Sequence, residues 1–297
     1  MTNKNFEYDN SVKLLLAAEK QKPEPIQISL SFGKKENKPG EVGIEIGEIL
    51  QSPQRDDTIK AIVSLGEKEK LNSQAFRKAG ASITKWLSNF NKTSSTIQLK
   101  KIDKINNSDN LSALFEGLFL GSFTFSRYKT SGIKNEEIKI FLNTNIDPQK
   151  INQLIKHAKI VTDAVNLNRD WAHEPANVIN PITLAQRTQD IAQKSGLKCT
   201  ILDESTLTKM NAGGILSAGQ GSKTPSRMII LEYSGNQPSS DLKPVILVGK
   251  AITFDTGGYS LKDTTNIQQM KFDKSGGVIV AAVMQAVASL KLKRPVV

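Results

Sequence analysis

The sequence predicts an α/β protein with two domains. Three observations support this class. Short runs with strand periodicity alternate with longer runs of helical periodicity. The length of 297 residues suits two domains. A turn signal at residues 145–150 separates one stretch of this alternation from the next.

The amino-terminal half is predicted to contain four strands and two helices, at 26–32, 59–65, 96–99 and 138–142 and at 73–89 and 111–119. In the first strand, Ile26, Ile28 and Leu30 alternate with polar neighbours, as in a strand with one buried face. In the first helix, apolar residues recur at helical spacing after Ser73, a residue type that caps helix amino termini.

A long helix is predicted over 148–169, directly after the turn signal. It belongs to the second domain or bridges the two, and the domains are predicted at 1–147 and 148–297. The second domain is predicted to contain helices at 183–195 and 277–290 and strands at 198–202, 228–233 and 244–248. The last four residues are typical of a strand start, so the natural fold is expected to continue further.

Composition narrows the cellular setting. Cys199 is the one cysteine, so no intrachain disulfide is possible. No apolar run approaches the ~20 residues of a membrane helix, and the polar first residues are not a secretory signal, so a cytoplasmic protein is expected. Two histidines exclude a metal site built on several imidazoles.

The charge balance raises a second possibility. A formal net charge of +11 favours anionic partners such as nucleic acid. The lysines are interleaved with acidic residues, however, and no basic run carries aromatic stacking partners. Nucleic-acid binding is therefore kept as the less favoured alternative.

The segment from Val248 to Gly277 carries the chemistry. Lys250, Asp255, Lys262 and Asp273 lie around two glycine pairs, and they are expected to converge at one edge of a sheet. Carboxylates bind divalent metals, and a lysine binds one when its amine is neutral. A second, protonated lysine polarises a carbonyl. The alternative is an ordinary surface ion pair between Lys250 and Asp255.

Residues 249–262, GKAITFDTGGYSLK, closely resemble the hallmark segment of the cytosol (leucine) aminopeptidases. Residues 270–273, MKFD, are similar to the next metal-ligand segment of that family, and residues 168–181 resemble its entry into the catalytic domain. The resemblance is faint before residue 110 and strong after residue 165.

The resemblance implies an amino-terminal, macro-like α/β domain and an α/β catalytic domain with a mixed central sheet. It implies that Lys250, Asp255 and Asp273 bind two divalent ions (zinc, manganese or magnesium) and that Lys262 is the catalytic lysine. The implied reaction releases amino-terminal residues, preferentially leucine, from peptide substrates. The family assembles as hexamers, so a homo-oligomer is expected.

The sequence departs from the family in one major respect. The family's later segment, Asn-Thr-Asp-Ala-Glu-Gly-Arg, supplies further ligands and does not occur here. The catalytic domain is therefore expected to be incomplete and the chain inactive or impaired, or else a DNA-binding or regulatory protein of the same fold. A smaller departure is Lys274, where an uncharged methionine is typical, so positive charge is expected next to Asp273.

Overall fold

The computed structural model describes residues 12–17, 24–36, 40–52, 58–89, 93–100, 107–131, 137–236 and 242–297. The chain forms two compact units, the first ending at Asp163 and the second beginning at Ala164. The boundary between them falls within α3, which spans Pro148–His173 and contributes residues to both units. The functional domain limits, 1–147 and 148–297, stay a prediction.

The first unit is a mixed α/β layer. Its elements are β1 (Val12–Leu16), β2 (Ile26–Ser31), β3 (Ile49–Ser52), β4 (Ile59–Ser64), a 3-10 helix (Lys68–Lys70), α1 (Ser73–Asn89), β5 (Ser94–Gln98), α2 (Ser108–Gly121) and β6 (Ile138–Asn143). Among the described residues, the sheet order is β1-β6-β5-β2-β4-β3. All neighbouring strands are parallel except β3, which runs antiparallel to β4 at the edge.

Apolar periodicity explains the core of this unit. Ile26, Ile28 and Leu30 of β2 are buried while their neighbours along the strand are more accessible. The apolar stripe of α1 packs into the same core, where Phe76 and Ile83 are fully buried. The strand and helix predictions for this half are confirmed, each within three residues at either end.

The second unit follows from Ala164. After the end of α3, it contains α4 (Pro181–Ser195), β7 (Lys198–Leu202), α5 (Glu204–Lys209), α6 (Gly213–Gly219), β8 (Met228–Glu232), α7 (Thr264–Gln269), a 3-10 helix (Met270–Lys274) and α8 (Ser275–Ser289). Helix α4 begins where the Asn180 side chain accepts hydrogen bonds from the N–H groups of Ile182 and Thr183. It ends at Gly196, whose φ of 69° is in the left-handed region.

The sheet of the second unit is mixed, as expected. Strands β7 and β8 are antiparallel, Tyr233 pairs antiparallel with Val296, and Val296 pairs in parallel with Val245. The core of this unit lies between α4, α8 and the sheet, with Ala192, Leu231, Ala281, Met284, Val287 and Val296 buried together.

The predicted strand at 244–248 is wrong as a regular strand. The N–H groups of Val245 and Leu247 donate to the carbonyls of Pro295 and Val297 at 3.0 and 2.7 Å, and the Val297 N–H donates to the Val245 carbonyl at 2.9 Å. These three bonds form a single bridge and not a continuous ladder within the described residues. Ile246 and Val248 are 60% and 92% exposed. Apolar content predicted a strand here, but a strand needs a continuous ladder of main-chain partners as well.

None of the helices in the described part of the chain is both long enough and apolar enough to cross a membrane.

Candidate metal and catalytic site

Two ion pairs bring the four predicted side chains together. Lys250 Nζ lies 2.8 Å from Asp273 Oδ1, and Lys262 Nζ lies 2.6 Å from Asp255 Oδ2. Asp255 is also close enough to Lys250 that each side chain shifts the pKa of the other. These two ion pairs, which act on each other electrostatically, are referred to as the cluster. The alternative interpretation expected an ion pair between Lys250 and Asp255. In the structure, Lys250 pairs directly with Asp273 and Asp255 pairs directly with Lys262.

A glycine turn returns Lys262 to Asp255. Gly257 and Gly258 have φ angles of 89° and 65°, in the region that favours glycine. The turn is closed by the N–H of Lys262, which donates to the Thr256 carbonyl at 3.0 Å. The N–H of Gly257 also donates to Asp255 Oδ1 at 2.9 Å. The turn thus fixes both the main chain and the carboxylate at this corner.

A second close approach places Asp273 beside Lys250. The N–H of Gly277, in the first turn of α8, donates to the Lys250 carbonyl at 2.7 Å. A Cβ at Gly249 would lie 2.4 Å from the Gly276 carbonyl oxygen, so a side chain at Gly249 would push the two segments apart. Since Asp273 lies two residues before α8, the contact holds its carboxylate near the Lys250 side chain.

The charges of the cluster stabilise one another. The hydrogen bond to Asp273 is the main cause that raises the pKa of Lys250. Hydrogen bonds from Lys262 and from the Gly257 N–H lower the pKa of Asp255. At neutral pH the site therefore contains an ammonium at Lys250 and a carboxylate at Asp255.

One atom of the cluster suits a cation. Asp273 Oδ2 is buried, and no hydrogen-bond donor of the described residues reaches it. A buried acceptor without a donor is costly, and a divalent cation would satisfy it. In the described part of the chain, no three His, Cys, Asp or Glu side chains gather around a point. The available metal ligands are thus two carboxylates and the Lys250 amine, which fit part of a divalent-cation site.

Sequence reasoning missed the burial of Lys274, which follows Asp273 in the sequence. It is fully buried, and its ammonium donates to the carbonyls of Ala172 at 3.2 Å and Glu174 at 2.8 Å, and also to the carbonyl of Lys271. Burial lowers the pKa of Lys274 to about 8, helped by the nearby positive charges of Lys271 and Arg187.

The structure shows which atoms the Lys274 ammonium contacts. The ammonium lies at the carboxyl end of α3 and donates hydrogen bonds to main-chain carbonyls there. A signal for its burial exists in the sequence, because Lys274 lies four residues before the buried Val278, on the apolar stripe of α8.

The sequence models of two protein-family domains match the chain. The model of the catalytic domain of the cytosol aminopeptidase family matches residues 166–297, and the model of its N-terminal domain matches residues 47–132. The chain belongs to the cytosol aminopeptidase family. The four clustered side chains all lie within the match to the catalytic domain.

Similar proteins include curated members of this family. The chain is 36% identical over 248 residues to a probable cytosol aminopeptidase of Aquifex aeolicus (strain VF5), covering 82% of this chain and 49% of that protein. It is 31% identical over 268 residues to a probable cytosol aminopeptidase of Clostridium perfringens (strain 13 / Type A), covering 88% and 53%. The chain therefore spans about half the length of these cytosol aminopeptidases.

A solved structure has the same fold. The bottromycin maturation enzyme BotP, in complex with Mn, is 25% identical, with a TM-score of 0.77. The similarity covers 92% of this chain and 58% of BotP. The fold predicted from the sequence, an amino-terminal α/β domain followed by an α/β catalytic domain, is confirmed by this likeness and by the two family matches.

Proposed function

We propose that this member of the cytosol aminopeptidase family carries a two-metal site for the release of amino-terminal residues, preferentially leucine, from peptides. The observation that carries the proposal is the buried, unpartnered Oδ2 of Asp273 within the cluster of Lys250, Asp255 and Lys262. Lys250, Asp255 and Asp273 are too few ligands to fill the coordination shells of two ions. The 297-residue chain alone is therefore proposed to be inactive or impaired.

The carboxylates of Asp255 and Asp273 would hold the cations, together with the amine of Lys250. Bound divalent ions polarise a peptide carbonyl and lower the pKa of a bound water. Lys250 must lose its proton to bind, and its ion pair with Asp273 opposes that loss. Cation binding therefore requires this pair to open.

Lys262 is proposed to act on the substrate. Its side chain is 28% exposed, and a peptide carbonyl would reach the ammonium when one of its present partners is displaced. Asp255 holds the ammonium through the carboxylate at 2.6 Å and the main-chain carbonyl at 3.2 Å, and the Met270 sulfur lies 3.0 Å away. An ammonium held in this way can stabilise negative charge that develops on the carbonyl oxygen.

Zinc, manganese or magnesium suits these ligands. The solved structure of BotP with Mn makes manganese the first cation to test. Peptide substrates and a homo-oligomer, a hexamer in the resembled family, are part of the proposal. Light scattering of the purified chain measures the assembly.

Calorimetric titration with Mn²⁺ tests the cation site. We expect saturable binding to the unmodified chain and binding weaker by at least about tenfold in Asp255→Asn. The matched control is Asp263→Asn, since Asp263 caps α7 with its side chain and Asn can keep that cap. Absence of saturable binding, or equal affinity in Asp255→Asn, would overturn the proposal.

Hydrolysis of leucyl anilide with added Mn²⁺ tests the catalytic role of Lys262. Any residual activity is expected to fall by about 100-fold in Lys262→Ala. Lys271→Ala is the control. It also removes one lysine, but the ammonium that it removes lies 5.0 Å from the centre of the Phe272 ring, and Lys262 is left in place. Activity that Lys262→Ala leaves unchanged would contradict the assignment.

A further inference from the structure

We infer that Lys274 is a positioning residue: its buried ammonium ties the segment that carries Asp273 to the carboxyl end of α3 and so fixes the Asp273 carboxylate for cation binding. The inference rests on the proposed function, because it requires Asp273 to bind a cation. It adds a residue that neither binds the cation nor touches the substrate.

The carboxyl end of α3 forms a receptor for an ammonium. The last carbonyls of a helix have no intrahelical donor, and the helix dipole makes this end attractive to a cation. Lys274 donates there to the carbonyl of Ala172 at 3.2 Å and, just past the helix, to that of Glu174 at 2.8 Å. It is fully buried, so these bonds are formed away from water.

The same ammonium also closes its own segment. It donates to the carbonyl of Lys271, three residues earlier in the 3-10 helix Met270–Lys274. One ammonium therefore forms hydrogen bonds both within the short helix that carries Asp273 and to the end of α3. Main-chain acceptors allow little freedom, so the bonds fix the direction in which Asp273 projects.

Neighbouring contacts add to this attachment. The Phe272 ring packs edge-on against the His173 ring, with centroids 5.1 Å apart. The Ser275 hydroxyl donates to the Phe272 carbonyl at 2.6 Å. In the sequence Asp273 lies between Phe272 and Lys274, and its side chain is 18% exposed. Loss of the Lys274 ammonium would remove a hydrogen-bond donor from the carbonyls of the buried residues Ala172 and Glu174.

A residue that merely stabilises the fold would not change cation affinity at temperatures where the variant is folded. We therefore propose a Mn²⁺ titration, followed by the electron paramagnetic resonance of free Mn²⁺, on the full chain. The variants are Lys274→Met, Lys274→Gln and the matched control Lys271→Met. Circular dichroism at each titration temperature establishes that each variant is folded.

The expected order of affinity is specific. Lys274→Met should bind Mn²⁺ about tenfold more weakly than the unmodified chain, as is typical when a group that orients a ligand is removed. Lys274→Gln keeps an N–H donor and should lose less, while Lys271→Met should bind as the unmodified chain does. Unchanged affinity in folded Lys274→Met would overturn the inference.

A second measurement uses the unmodified chain and does not depend on the folding of a variant. Acetylation by an N-hydroxysuccinimide ester, followed by mass spectrometry, should modify Lys274 far more slowly than Lys250, whose side chain is 56% exposed. Equal rates at the two lysines would overturn the inference. Failure of the proposed function gives a different result, in which the unmodified chain does not bind Mn²⁺ or Asp255→Asn binds it equally well.

Discussion

Replacing Asp273 by Asn separates cation binding from stability of the fold. The substitution removes the ion pair with Lys250, whose side chain is 56% exposed, so the loss to the cation-free protein is small. It also removes the charge from an oxygen, Oδ2, that is buried without a donor. The two effects oppose each other, and the cation-free variant should unfold close to the temperature of the unmodified chain.

The effect of Mn²⁺ is expected to be much larger. A ligand present at 100 times its dissociation constant stabilises the folded state by about 2.7 kcal/mol. For a unit the size of Ala164–Val297, that corresponds to roughly 10 °C in the unfolding midpoint. The unmodified chain should show this increase, and Asp273→Asn should show almost none.

Differential scanning calorimetry over a series of Mn²⁺ concentrations measures both quantities. Asp263→Asn, an equal change of charge in the same part of the chain, should keep the full increase. The reasoning is refuted if Asp273→Asn retains the Mn²⁺-dependent increase. It is equally refuted if the cation-free variant is destabilised by more than Mn²⁺ stabilises the unmodified chain, because Asp273 would then act mainly in folding.

Three further predictions follow from the same structure. Gly249→Ala, whose Cβ would lie 2.4 Å from a main-chain carbonyl oxygen of α8, should lower the free energy of unfolding by about 1–3 kcal/mol in denaturant titrations. Gly213→Ala, whose Cβ would meet nothing within 4 Å in the helix α6, should not lower it. Hydrogen bonds from Thr206 lower the pKa of Asp203 to about 2 from 3.8, so its stabilising effect is complete above pH 3.8 and is lost as the pH falls through about 2, which carboxyl NMR titration will show. Lys262→Ala should raise Mn²⁺ affinity in calorimetry while it lowers hydrolysis, because it removes the ammonium that pairs with a proposed ligand carboxylate.

Local patterns predicted the longer elements of the fold. The helix Ser73–Asn89 and the strand Lys198–Leu202 have the predicted limits, because in each the spacing of apolar residues and the flanking residues agree. The short strands β1 and β3 were not predicted. The pairing of β1 with β6 depends on residues distant in the sequence, which local periodicity does not reveal. Strand β3 pairs with the nearby β4, but its four residues are too few to show a period and none of them is buried.

The site was predictable in its members but not in its pairing. The sequence indicated that Lys250, Asp255, Lys262 and Asp273 would meet, and the structure brings them together. Which lysine pairs with which aspartate depends on the glycine turn and on the close approach of α8, and both are properties of the folded main chain. Their roles as metal ligands and catalytic lysine stay a prediction.

The cluster is balanced in charge without any cation. Two ammonium groups face two carboxylates, so a divalent ion that enters meets positive charge as well as ligands. It can bind tightly only when Lys250 releases its proton and Lys262 moves off Asp255, and both changes break ion pairs of 2.6–2.8 Å. Additional anionic ligands would offset that cost. A chain whose described residues offer two carboxylates at this point should therefore bind cations more weakly than a site with more carboxylates, even with every side chain in place.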